Sequence, residues 1–218
     1  MISKTPEQMF GLRAGGTKAT EGRGSYDERL TGILEAATDV IARVGYGGAS
    51  MRAVAKAANV SLAGLYHYFE SKETMLFLIQ FRTFGSLLAN LKEKLHGVED
   101  PVDQLSVMVR AHIGYFASNM AALKVCSHEL DMLSGEGFEQ TRRIRHEYYE
   151  LTRSMVERIC AKSGAASDLD CHVATMSLFG MLNWLYRWYS PGVERSPSGL
   201  AQQILRIFLQ GIGGSPTK

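Results

Sequence analysis

From Tyr26 onward, apolar residues recur at three- and four-residue steps. Leu30, Ile33, Leu34, Ala37, Ile41 and Val44 share one face that stops at Gly45, which predicts a helix of about five turns. Ser50 heads a short helix through Met51, Val54 and Ala55 that breaks around Asn59, and Ser61 heads another from Leu62 to Tyr68. Ser71 then opens a long helix through Met75, Leu76, Ile79, Phe84, Leu87, Leu88, Leu91 and Leu95, closed by Gly97. Asp100-Pro101 places a capping carboxylate before a proline at the first helical position, so a further helix should run to about Asn119. The next is expected over Ala121–Leu133, and after a break at Ser134–Gly137 a long charged helix should end near Gly164. Asp168 is expected to begin a helix carrying Leu178, Phe179, Leu182, Trp184, Leu185 and Trp188 that Pro191-Gly192 stops. Ser196-Pro197 repeats the cap-then-proline pattern, and the last helix runs through Ile204, Leu205, Ile207, Phe208 and Leu209 to Gly211. The pattern describes an all-α protein of about nine helices, with no alternating strand of useful length.

The organisation follows from where that period begins and changes. Residues 1–25 hold five glycines and scattered charge without an apolar period, and read as a flexible N-terminal arm. Residues 26–72 form a small unit of short helices, and residues 73–218 a larger helical domain.

Composition excludes several classes. The chain has 218 residues, 45% apolar, with a formal net charge of +2, and no stretch reaches the ~18 apolar residues of a membrane span. Its first residues lack the apolar block of a secretory signal, so the protein reads as cytoplasmic with no membrane partner. Cys126, Cys160 and Cys171 are odd in number and widely spaced, which suits reduced core thiols. There is no G-x-S-x-G, P-loop or H-E-x-x-H motif, and Gly45-Tyr46-Gly47-Gly48 lies between helices with no strand before it. His128, Glu129 and Asp131 do not share one helix face, so no metal site, catalytic centre or cofactor is expected.

The informative stretch is Ala49 to Lys72, ASMRAVAKAANVSLAGLYHYFESK, two short helices around a tight turn at Ala58-Asn59-Val60. In a helix-turn-helix the second helix enters the DNA major groove, so its outer residues must be small, polar or aromatic. Val54, Ala55, Ala58, Val60 and Leu65 supply an inner face, and Phe69 joins it by its spacing from Leu65. Leu62, Ala63, Gly64, Tyr66, His67 and Tyr68 remain for the outside.

Over about fifty residues, from Arg29 to Leu78, this stretch resembles the DNA-binding domain of the TetR family of bacterial repressors. Ala57-Ala58-Asn59-Val60-Ser61, Leu65-Tyr66-His67-Tyr68-Phe69 and Lys72 stand in the family's order. The resemblance implies a ligand-responsive transcriptional regulator, a repressor by default, that binds palindromic double-stranded DNA as a homodimer. It places Ser50 and Arg52 at phosphate or base-edge contacts, Leu62, Ala63 and Gly64 at the base-facing start of the recognition helix, and Tyr66, His67 and Tyr68 on backbone phosphates. Lys72, at the start of the next helix, would add its charge to free N–H groups against a phosphate. No Arg, Asn or Gln stands at the base-facing positions, so specificity leans on Arg52, on contact with thymine methyls or on DNA shape. The first 75 residues carry nine Lys and Arg against eight acids, so the DNA face is basic by arrangement and not by average.

A two-fold dimer needs a self-complementary apolar surface, and the last two helices, with Leu178, Leu182, Leu185, Ile204, Leu205, Phe208 and Ile212, suit a four-helix interface. The same positions also suit a core. Among the polar and aromatic residues of the middle helices, His112, Tyr115, Phe116, Tyr149, Asn183, Trp184 and Arg187 are candidate ligand contacts, with Tyr148 beside them. The run Met181–Gly192 is similar to TetR-family members that sense acyl-CoA thioesters, which implies a small hydrophobic or acyl-CoA effector. Arg187 and the cluster Arg142-Arg143-Arg145-His146 would then meet nucleotide phosphates. Against this stand core tryptophans with a solvated arginine face, a sensor of drugs or other small molecules, and a helical adaptor that binds protein through its last helix.

Overall fold

The computed structural model describes residues 21–163, 169–190, 192–193 and 195–213. Nine α-helices and two short 3-10 turns make up the described residues: α1 (Glu21–Gly48), α2 (Met51–Ala57), α3 (Leu62–Tyr68), α4 (Lys72–Lys94), α5 (Pro101–Ala117), α6 (Met120–His128), α7 (Gly135–Ser163), α8 (Cys171–Asn183) and α9 (Pro197–Gly213), with 3-10 turns at Leu130–Met132 and Leu185–Arg187. The all-α expectation therefore holds, and the chain divides into two compact units.

The first unit joins residues up to Arg82 with the separate segment Lys124–Thr141. α1 buries Leu30, Ile33, Leu34, Ala37, Val40 and Ile41, the stripe its period predicts. It begins at Glu21, five residues earlier than the apolar period shows, because a nucleated helix extends readily into polar sequence. Residues 1–20, most of the expected arm, lie outside the described residues. Gly45, at φ 75 and ψ 162, breaks the helical path where an L side chain would be strained. Val125 and Leu133 pack into one core with Val54, Leu65, Phe69, Met75 and Leu78. This second segment is why the unit is larger than residues 26–72: its apolar side chains are a whole domain away in sequence, and only tertiary packing brings them in.

The second unit comprises residues 83–123 and 142–218. Its core gathers Leu87 and Leu91 of α4, Leu105, Met108, Val109, Ile113 and Phe116 of α5, Tyr148, Met155 and Val156 of α7, Leu178 and Leu182 of α8, and Ile204 and Phe208 of α9. Asp100 caps α5 by accepting from the N–H groups of Val102 (2.8 Å) and Asp103 (3.3 Å), with Pro101 in the first turn. The hydrogen bond from Lys162 holds the Asp100 carboxyl below its ordinary range. α8 is capped by Asp170, which accepts from His172 (2.7 Å) and Val173 (3.3 Å), and starts at Cys171, three residues after the expected start at Asp168. Asp168 and Pro191 themselves lie outside the described residues. Nor does α8 continue to Pro191. It ends at Asn183 and tightens into the 3-10 turn, where Arg187 N–H donates to Trp184 O at 3.0 Å and Trp188 N–H to Leu185 O at 3.1 Å.

Candidate functional site

The α2–turn–α3 hairpin is fixed by two serine caps and one left-handed residue. Ser50 Oγ accepts from Ala53 N–H at 3.1 Å and Ser61 Oγ from Gly64 N–H at 2.9 Å, satisfying donors that short helices otherwise leave to solvent. Between them Asn59 takes φ 52, a conformation asparagine tolerates, and Val60 N–H closes on Ala55 O at 3.0 Å. Leu65 and Phe69 are fully buried, which turns Ala63, Tyr66 and His67 outward. Tyr66 is 50% exposed, and Ser50 and Arg52 are exposed on the neighbouring helix start. The structure thus gathers Ser50, Arg52, Ala63, Tyr66 and His67 on the outer side of the hairpin.

Four other expected contacts are drawn inward. Leu62 is half-buried against the unit core. Tyr68 is half-buried and stacks on Tyr26 with ring centroids 5.1 Å apart. A Cβ on Gly64 would stand 3.0 Å from Ser61 Oγ, so the missing side chain protects the cap of its own helix. Lys72 donates to Tyr46 O (2.9 Å) and Ala49 O (3.1 Å) and lies 4.1 Å above the Tyr46 ring. Its ammonium thereby satisfies carbonyls at the end of α1, where a cation is electrostatically favoured. Two of its three N–H donors are spent on this clamp.

Sequence reasoning missed the residues that steady the hairpin from behind. Glu129 Oε1 accepts from Tyr46 N–H at 3.1 Å, and Glu73 Oε1 accepts from both the N–H and the hydroxyl of Ser134, each at 2.7 Å. Lys124 donates to Ala42 O. Three of these residues lie in segment 124–141, and no local pattern announces a bond that spans 83 positions.

In the second unit, His112 is 2% exposed within a group of rings. Its ring centroid lies 4.8 Å from Phe116, 6.0 Å from Tyr148 and 6.3 Å from Phe179, and the last two are 5.9 Å apart. Nδ1 and the Tyr148 hydroxyl are 3.2 Å apart. Burial pushes the His112 ring down to about 3 and the Tyr148 hydroxyl far up, so both are neutral around pH 7. Asn183 lies toward His112 and favours a proton on it, yet Nε2 closes no hydrogen bond among the described residues. Tyr115 meets the group through Phe116, edge-on at 5.1 Å. His112, Tyr115, Phe116 and Asn183 therefore come together as expected, with Tyr148 and Phe179 as the further members.

Tyr149, Trp184 and Arg187 do not join His112's polar group. Tyr149 pairs its hydroxyl with His172 Nδ1 at 2.6 Å and reaches the group only through Phe179, at 6.4 Å. The spacing Thr141, Tyr148, Met155 marks the inward face of α7 and would have chosen Tyr148 over Tyr149. Trp184 is 54% exposed with the Arg187 guanidinium 5.7 Å from its ring, because α8 ends one residue before it and the 3-10 turn swings both outward. Arg142, Arg143 and His146 are exposed, while Arg145 lies half-buried 4.8 Å from the Phe84 ring. Of the residues expected at a dimer face, Leu178, Leu182, Leu185, Ile204 and Phe208 are buried inside the protomer. Leu205 is half-buried, and the side chain of Ile212 lies outside the described residues. The exposed large apolar residues of the same region are Val173, Met176, Trp184, Trp188, Val193 and Ile207.

Two capped helices that present small, polar and aromatic side chains, followed by an all-helical unit with a buried polar group, define a helix-turn-helix regulator with a sensing domain. Residues 33–79 match the family of bacterial regulatory proteins, tetR family, and residues 98–212 match the tetracyclin repressor-like C-terminal domain. The chain belongs to the TetR family of transcriptional regulators, as a ligand-responsive regulator of the repressor type. It is similar to the HTH-type transcriptional repressor KstR2 of Rhodococcus jostii, 26% identical over 185 residues that cover 84% of this chain and 91% of the relative. Among solved structures it is similar to the TetR family regulator PfmR from Thermus thermophilus, with TM-score 0.72 and 29% identity over 82% of this chain and 97% of that one. It is also similar to AibR in complex with isovaleryl coenzyme A and operator DNA, with TM-score 0.73 and 25% identity over 82% of this chain and 97% of that one. The family and these relatives are regulators of transcription, and no helix among the described residues is long and apolar enough to cross a membrane.

Proposed function

We propose that this chain is a cytoplasmic, non-enzymatic repressor that binds a palindromic operator as a homodimer and is released by an acyl thioester or similar hydrophobic acyl effector. The observation that carries the DNA half is the outward set on the hairpin. Ser50, Arg52, Ala63, Tyr66 and His67 stand exposed on a pair of helices whose inner faces are closed. Tyr66 and His67 would grip phosphates, Ala63 allows close approach to base edges, and Gly64, Leu62 and Tyr68 hold the helix in place from its flanks. Lys72 holds the end of α1 with two of its N–H groups and so supports the hairpin from behind.

Support for the effector half comes from the buried His112 group, whose apolar rings suit an acyl chain and whose polar atoms suit a single oxygen function. The likeness to AibR with isovaleryl coenzyme A points to the same chemistry. Homodimer formation is assigned to the exposed apolar residues Val173, Met176, Trp184 and Ile207, with the Arg187 cation over Trp184 at the rim. An effector shifts the regulator only if it binds the released state more tightly than the DNA-bound one.

The test is capture of sheared genomic DNA by the purified protein at moderate salt, followed by sequencing. A recovered palindrome, lost for Tyr66→Ala with His67→Ala while fold and dimer persist, is the expected result. Recovery of sequence-random DNA by a protein shown by native mass spectrometry to carry no small molecule would overturn the reading.

A further inference from the structure

We infer that His112 is a fixed hydrogen-bond donor in the ligand core, presenting Nε2–H to a neutral carbonyl oxygen of an apolar ligand. The argument is a count of protons. The Tyr148 hydroxyl and His112 Nδ1 are 3.2 Å apart, and two arrangements satisfy that contact. If Nδ1 carried the ring proton and donated to the phenol oxygen, the phenolic O–H would have no acceptor and Nε2 would be a bare acceptor, leaving two buried groups unmet. If instead Tyr148 donates to Nδ1, the ring proton sits on Nε2 and only one group is unmet. The second arrangement leaves fewer buried polar groups without a partner and is the favoured one. Asn183, which lies toward the ring and favours a proton on His112, is consistent with a donor there.

The surroundings say what that donor accepts. His112 is 2% exposed and bordered by Phe116, Tyr148 and Phe179, whose faces suit hydrocarbon. Burial and Asn183 account for the shift of His112 and burial for that of Tyr148, with no charged side chain acting on either, so a carboxylate would enter without a compensating cation. A ketone, ester or thioester oxygen needs one donor and no counter-charge. Tyr148 acts here as a positioning residue: it fixes the tautomer and does not meet the ligand oxygen itself.

Only the thioester version of this inference rests on the effector reading above; the tautomer and the carbonyl preference do not. The experiment has two arms on the full-length protein. In the first, nitrogen-15 NMR of ligand-free protein with labelled histidine, with the His112 signals assigned through His112→Gln, reads the tautomer. Protonated Nε2 with bare Nδ1 is expected, and the reverse overturns the inference. In the second, butyryl-, octanoyl- and palmitoyl-coenzyme A are titrated beside their S-alkyl thioethers, which lack the carbonyl. The wild-type protein should prefer a thioester by about tenfold or more. His112→Leu should lose that preference, and His112→Gln, which keeps an amide donor near the Nε2 position, should regain part of it. Equal binding of a thioester and its thioether by the wild type overturns the inference. If no coenzyme A compound binds, the effector reading fails by itself, and 2-octanone against octane decides the donor: preference for the ketone upholds it, and no preference overturns it.

Discussion

The outward residues of the hairpin all lie between Ser50 and His67, on helices of seven residues, and each stands where its own helix period puts it. In the second unit, His112, Tyr148 and Phe179 come from three helices, with 36 positions between the first two alone. The first arrangement is local and solvent-facing, so its parts keep their geometry through caps and backbone bonds. The second is long-range and dry, so each polar atom depends on a partner that only the folded chain supplies. One difference in burial thus decides what perturbs each: salt and surface charge for the hairpin, burial and protonation for the ligand core.

The comparison breaks first at the core that backs the hairpin. Phe69→Ala removes a fully buried ring and should cost about 3–5 kcal/mol, read by denaturant unfolding, with operator binding lost. A smaller cost would mean that the hairpin does not depend on its buried side. The next effect separates the units by pH. His112 titrates near 6.5 when unfolded and is pushed to about 3 when folded, so the unfolded chain binds the extra proton between those values. Its contribution to stability is therefore fully present above about pH 6.5, and is lost at up to ~1.4 kcal/mol per pH unit as pH falls towards 3. Comparing unfolding free energies of wild type and His112→Gln from pH 7 to pH 4.5 isolates it. Parallel curves would show that the ring is not dry.

Tyr148→Phe leaves His112 Nδ1 without its partner and should destabilise the protein by about 1–3 kcal/mol, while ligand-free operator affinity stays as it was. Lys72→Met removes two carbonyl caps at a partly exposed site and should cost about 1–2 kcal/mol, with weaker DNA binding whose salt dependence stays close to that of wild type. Arg52→Ala gives the smallest change in stability, within about 0.5 kcal/mol, yet should lower the slope of log affinity against log salt by about one. If Lys72→Met lowered that slope as much as Arg52→Ala does, the clamp on α1 would not survive on DNA.

Much of this was legible before the fold was known. Ser50, Ser61, Ser71 and Asp100 announce helix starts because a short polar side chain is needed there, and each is found at one. The spacing of Leu65 and Phe69 shows which side of α3 is closed. The boundary of the first unit was not legible, because Val125, Leu133, Glu129 and Ser134 act at bonds and contacts that skip α5 entirely. The expectation that Trp184 and Arg187 line the ligand core rests on a helix continuing to Pro191, and a single change of geometry after Asn183 sends them to the surface.

The sequence by itself determined the class of fold, the position of the second hairpin helix and its closed side at Leu65 and Phe69, since helical period and capping act over four or five neighbours and need no other part of the chain. Only the tertiary structure decided that Lys72 serves α1 from within, that Tyr148 and not Tyr149 faces His112, and which apolar residues of α8 and α9 stay exposed. Those outcomes depend on which side chains are shut away from water together, and burial is a property of the packed molecule that no single segment carries.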